Sequence, residues 1–167
     1  MLSTFFRKTV SKMNDTGFGE VDSVDFAVYL NRQAQKRGIP ANVTKIQKWL
    51  YICYGAYLAV HERQLLTERP KAWDYGPAFP RVHKVQKKNK NSLNGLVVKC
   101  STEELTRYDD LIKVTLDKFG DWTASELVTW THEEDKAWHK TFYLVDKYAP
   151  MDNYDIMYDF RSLSNYG

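Results

Sequence analysis

The stretch His132-Glu133-Glu134-Asp135-Lys136-Ala137-Trp138-His139 gathers metal-capable and acid–base side chains more densely than any other part of the chain. A hydrolytic zinc site on a helix needs His at i and i+4, so that both imidazoles reach one ion, with a Glu beside the first as general base. Here the second His falls at i+7, and His132 precedes the expected start of the helix. The spacing therefore predicts no metal site. Thr131 is expected instead to cap a helix, Glu134 to complete its capping box, and Trp138 to pack. A hydrolase or metal enzyme built on His132 and His139, with distant His61 or His83 as further ligands, is the enzyme alternative. No G-x-S-x-G elbow accompanies the Ser and His residues, and Gly17 and Gly19 open no phosphate-binding strand-to-helix unit. The two cysteines form no C-x-x-C. Cys53 lies within an apolar helical pattern and reads as a small buried hydrophobe. No catalytic residue, cofactor or metal is expected.

A second chemistry is phosphate binding. Arg81, Lys84, Lys87, Lys88 and Lys90, with His83 among them, could contact several phosphates. A net charge of +3 and a pI near 8.7 do not mark the chain as a nucleic-acid binder. The run reads as a solvated helix end whose lysines also favour the C-terminal dipole. A nucleic-acid-binding regulator using Arg81–Lys90 is the second alternative.

A third possibility is recognition of another protein. Aromatic residues make up 14% of the sequence, with eleven Tyr and five Trp, and such rings serve cores and interfaces alike. Trp73-Asp74-Tyr75-Gly76-Pro77-Ala78-Phe79 forms a proline-fixed corner. Side chains just past it, Phe79, Arg81 and His83, would project from a rigid base, which lowers the entropy lost on binding. These three, with Tyr154 and Tyr158 near the C-terminus, are interface candidates. Trp73 and Tyr75 read equally as core or as anchor.

The elements that must position these residues are mostly helical. The 167 residues suit a single domain with a real core. Ser23 is the expected cap of a helix reaching about Arg37, ended by Gly38 and Pro40. Asn42 can cap the clearest helix, with Ile46, Trp49, Leu50, Cys53, Tyr54, Tyr57 and Leu58 on one wide stripe. It should fade near His61–Gln64. Segment 65–73 reads as a short extended piece pairing with Leu96–Val98. Gly76 supplies any positive φ at the corner, and Pro77 starts a helix running to about Lys88. Ser101 with Glu104 and Thr123 with Glu126 read as capping boxes. Leu105, Tyr108, Ile112, Leu116 and Phe119 share one helical face that Gly120 ends. A helix from Glu134 or Asp135 to Tyr148 follows, stopped by Pro150. Asp152 or Asn153 can cap a last helix through Phe160. The expected fold is mainly α: a single compact helical domain with one small β-hairpin. Residues 1–20 form an N-terminal extension without signal-peptide character, 21–160 the domain, and 161–167 a tail. No apolar run approaches the ~20 residues of a membrane helix, so a cytoplasmic setting is expected.

Three stretches, taken together and in order, resemble the Panacea domain family of SocA-like antitoxins and GepA-type phage-associated proteins. Thr44–Ala59, TKIQKWLYICYGAYLA, is similar to its K-x-Q-K-x-L-Y motif. Ala72–Lys87, AWDYGPAFPRVHKVQK, resembles its A-W-x-Y-G-P segment, and Trp122–Trp138 resembles its S-x-x-L-x-x-x-T-H-x-E segment. Ala78 replaces a usual Val, His83 a usual Tyr and Ala137 an expected Pro, and Trp138 sits one residue late. The resemblance implies an antitoxin of a toxin–antitoxin pair rather than an enzyme. Its implied partner is a cognate toxin protein, and an AAA+ protease where the antitoxin acts as a proteolytic adaptor. No family residue carries over as catalytic, and self-association into a homo-oligomer stays open.

Overall fold

The computed structural model describes residues 8–11 and 20–165. The chain is mainly α-helical with one two-stranded hairpin: α1 (Ser23–Lys36), α2 (Val43–His61), β1 (Lys71–Trp73), β2 (Gly76–Ala78), α3 (Pro80–Lys88), α4 (Thr102–Thr106), α5 (Asp109–Phe119), α6 (Ala124–Thr131), α7 (Ala137–Lys140), a π-helical turn (Thr141–Val145), and α8 (Asn153–Asn165). Among the described residues no helix is long and apolar enough to cross a membrane.

Helix α2 is the hub. The Asn42 side chain accepts from the amide of Lys45, as its position before the apolar run predicts. Its residues Lys45 to Leu58 are all buried, not one stripe of them. The reason is placement: α8, α5, β2, α6, α1 and α3 pack around it. A helix enclosed on every side must hide every face. Polar side chains on those faces consequently need partners inside the protein. Gly55 lets α8 approach closely, since a Cβ there would meet the Phe160 ring at 2.1 Å.

Local signals hold at several other ends. Thr123 and Glu126 form the full reciprocal capping box. The Ser101 hydroxyl accepts from the Glu104 amide. Asp152 accepts from the Tyr154 and Asp155 amides, and α8 then runs past Phe160 to Asn165. Leu105 in α4, Tyr108 at the junction, and Ile112, Leu116 and Phe119 in α5 are all buried.

Other expectations are corrected. Asp22, not Ser23, caps α1, because its carboxylate takes the Val24 and Asp25 amides. Pro77 lies in β2, and Pro80 is the proline that opens α3. Strand β1 pairs with β2 across the Asp74-Tyr75 turn rather than with Leu96–Val98. The latter segment stays irregular, tied to α1 through the Asp25 carboxylate, which accepts from the Lys99 and Cys100 amides at 3.0 Å. The other edge of β1 is covered by 148–151: Ala72 N–H donates to Ala149 and Tyr148 N–H to Ala72. Thr131 closes α6 instead of capping a new helix, and α7 begins only at Ala137. Its cap comes from afar, for Asp159 Oδ2 accepts from the Ala137 amide at 2.6 Å. Burial raises the Asp159 carboxyl to about 6. The expected long helix to Tyr148 is broken by the π turn. Of the N-terminal extension, Val10 is fully buried in the core, and its carbonyl lies 3.1 Å from His61 Nε2. Residues 1–7, 12–19 and 166–167 lie outside the described set.

Candidate protein-docking site at the hairpin tip

The polar residues of Thr44–Ala59 build the base of this site. Lys45 Nζ donates to the carbonyl of Gly120 at 2.8 Å. Gln47 grips the Phe79 peptide from both sides: its Oε1 accepts from Phe79 N–H at 2.7 Å, and its Nε2 donates to Phe79 O and to Gln86 Oε1. Lys48 Nζ donates to the Pro77 carbonyl at 3.1 Å. Three side chains within four residues thus fix two distant backbone segments, Pro77–Phe79 and Gly120. Burial lowers the Lys48 amine to about 7, and among the described residues no carboxylate pairs with it.

Above that base, the hairpin tip is tied from the other side. His132 Nε2 lies 3.0 Å from the Asp74 carbonyl. Trp138 Nε1 donates to the Trp73 carbonyl at 2.8 Å. Tyr148 Oη donates to Asp74 Oδ2 at 2.6 Å, which raises the phenol's pKa. Gly76 makes the corner with φ +103°, and a Cβ there would lie 2.5 Å from Thr131 Oγ1. The tip is a rigid platform.

The predicted interface residues divide on this platform. Tyr75 stands 75% exposed at the tip. Trp73 is half-buried, with His83 edge-on at 5.0 Å and Tyr148 at 6.3 Å. His83 is half-buried, and burial and Lys87 lower its pKa. Phe79 is corrected: it is fully buried against Tyr54 and offers no exposed anchor. Arg81 is engaged within the chain, donating to Asp22 at 2.9 Å, Thr67 at 3.0 Å and Ser23 at 3.2 Å. Tyr154 and Tyr158 are exposed one turn apart on α8, away from the tip's hydrogen bonds.

Sequence reasoning missed Tyr143, Leu144, Val145 and Tyr148, which are exposed beside the tip. A signal existed: Phe142 to Val145 are four apolar residues in a row, and consecutive helical positions cannot all face one core. It also missed Lys48, because a lysine on an amphipathic helix ordinarily reads as solvated.

The catalytic alternatives gain nothing from this geometry. His132 Nδ1 lies 2.6 Å from the Val128 carbonyl, so both its ring nitrogens face backbone carbonyls. Among the described residues no three His, Cys, Asp or Glu side chains are placed to hold a metal. Burial pushes the Cys53 thiol up to about 12, which is the wrong direction for a nucleophile.

Comparison with curated proteins and with solved structures finds no significant match. The family model described as antitoxin SocA-like, Panacea domain matches residues 46–139, a span that holds the Gln47–Lys48 clamp, the hairpin and both His132 and Trp138. The chain belongs to the SocA-like antitoxin, Panacea domain family.

Proposed function

We propose that this protein is an antitoxin that neutralises a cognate toxin protein by direct, non-enzymatic binding, with the hairpin tip as part of the interface. Family membership supports the class of activity. The observation that carries the surface is Tyr75, three-quarters exposed on a tip that Lys48, His132, Trp138 and Tyr148 hold from both sides. A large ring on a pre-set backbone loses little freedom on association, and such rings are the usual anchors of protein interfaces. Trp73, His83, Tyr154 and Tyr158 extend the candidate surface. The action is cytoplasmic in this reading, and handing the bound toxin to an AAA+ protease is a further step of the same proposal. The nucleic-acid alternative is weakened by Arg81, whose guanidinium is already held by Asp22, Ser23 and Thr67.

The test is co-expression with the product of the neighbouring reading frame, scored by growth rescue and by co-purification. Wild type is expected to rescue and to co-purify. Tyr75→Ala should weaken binding by about 2 kcal/mol if Tyr75 is an anchor, with its circular dichroism unchanged. Full rescue by Tyr75→Ala at low antitoxin dose would remove the tip from the interface, and failure of wild type to bind would sink the antitoxin reading for that pair.

A further inference from the structure

We infer that the cleft between α2, α6 and α8 is a receptor for a guanidinium head group, and that its occupant is an arginine side chain of the toxin partner; the chemistry of the site stands on its own residues, and the partner's identity rests on the antitoxin reading above.

Three helices and one loop build the cleft. Gly55 lets α8 close onto α2, which brings Phe160 edge-on to Tyr51 at 5.5 Å. Trp130, near the end of α6, meets the same Phe160 ring at 6.1 Å. These three rings line the cleft together with Asp159 of α8 and with Glu133 and Lys136, from the loop between α6 and α7. Its volume is about 310 Å³, at the small end for a ligand site. It suits one head group rather than a whole small molecule.

The polar groups of the cleft are buried and left open. Tyr51 is 4% exposed, and among the described residues its hydroxyl has no hydrogen-bond partner. Asp159 is 5% exposed. One of its oxygens takes the Ala137 amide, and the other has no partner among the described residues. A cation set beside this desolvated carboxylate would offset the cost of its burial. Lys136 lines the cleft as well, yet among the described residues it makes no ion pair with Asp159 or Glu133.

Those groups choose among occupants. An apolar side chain, from another protein or from a second copy of this chain, would strip water from the Tyr51 hydroxyl and the Asp159 carboxylate and return no bond. An anion would face two carboxylates. The wider charge agrees when all of loop 132–140 and the facing turns of α8 are counted. Glu133, Glu134, Asp135, Asp155 and Asp159 stand against Lys136 and Lys140, a formal balance of −3 (two minus five) with His132 and His139 neutral. The next charge along α8, Arg161, is bonded to Glu62 at 2.7 Å. Lys48, one turn before Tyr51 on α2, donates to Pro77 beneath the hairpin. Of the two side-chain cations, guanidinium fits better than ammonium. It is planar, it stacks on ring faces, and its fork of donors reaches a carboxylate and a hydroxyl at once.

The experiment is an NMR titration of the full chain near neutral pH with N-acetylarginine methylamide, read at the indole N–H resonance that Trp130→Phe removes. A saturable shift in the millimolar range is expected. The citrulline, lysine and leucine counterparts, which test charge, planarity and apolar contact, should shift it less at equal concentration. Glu133→Gln, at an exposed position, and Tyr51→Phe, which keeps the ring, should each weaken the arginine probe by about fivefold, with thermal melts confirming the fold. No saturable shift, an equal response to any counterpart, or binding that neither variant weakens would overturn the site. Glu133→Arg should also reduce co-purification with the product of the neighbouring reading frame; an unchanged yield would overturn the toxin as the source of the arginine. Wild type that binds that product but not the probe would overturn this inference alone. Wild type that binds the probe but not the product would overturn the assigned partner together with the antitoxin reading for that pair. A dimer that the arginine probe dissociates would identify a second copy as the source and would likewise overturn the assigned partner.

Discussion

The side-chain nitrogen of Lys48 lies 3.1 Å from the carbonyl oxygen of Pro77, with only 2% of the lysine exposed. Among the described residues one neutral acceptor compensates the buried amine, so the hairpin sits on a group that resists protonation. Folded Lys48 titrates at about 7 against 10.5 when exposed. Between those values the unfolded chain binds the extra proton, so burying this amine costs stability, and the cost grows as pH falls from 10.5 toward about 7.

The first prediction follows from that sign. Lys48→Met removes the amine while keeping an unbranched apolar chain. The stability gap between variant and wild type should favour the variant most near pH 7 and shrink toward pH 8.5, by roughly 1 kcal/mol per pH unit. Urea unfolding at the two pH values measures it. A gap that does not change with pH would show that Lys48 is solvated enough to stay charged.

The second prediction concerns the centre of α2. Trp49 is fully buried and donates from Nε1 to the Phe119 carbonyl at 3.2 Å. Trp49→Ala should cost about 3–5 kcal/mol, as large aromatic truncations in cores do. A melting curve matching wild type would contradict the burial.

The third concerns the corner glycine. Gly76→Ala must adopt φ +103° and place its Cβ 2.5 Å from Thr131 Oγ1 and 2.9 Å from Lys48 Cε. Strain at such a position costs on the order of 1–3 kcal/mol. Chemical denaturation reads the loss directly, and toxin binding should fall with it because the Tyr75 tip shifts. Unaltered stability would mean that the corner relaxes at no cost.

The fourth concerns metal. His132 faces the Val128 and Asp74 carbonyls with both ring nitrogens. Protein purified without an affinity tag or added metal should show no stoichiometric transition metal by elemental analysis. One equivalent of zinc, lost in the His132→Ala, His139→Ala double variant, would restore the enzyme alternative.

What the sequence determined by itself is what short-range physics decides. Asn42, Thr123 with Glu126, Ser101 and Asp152 cap helices because the amides they bond lie two or three residues away, within reach of their own side chains. The α4–α5 apolar face and the mainly helical class follow from spacing of the same range. The tertiary structure alone decided the rest. Asp159 caps α7 across 22 residues, β1 chose the nearer β2 over Leu96–Val98, and α2 buried all its faces because six elements surround it. Phe79 moved from predicted surface to core for the same reason, since Gln47, 32 residues earlier, clamps its peptide. The exposed knob at Tyr143–Val145 exists because a π turn interrupts a helix that local spacing would continue. Which distant carbonyls and carboxylates meet a given side chain depends on how helices pack, and no window of neighbouring residues contains that information.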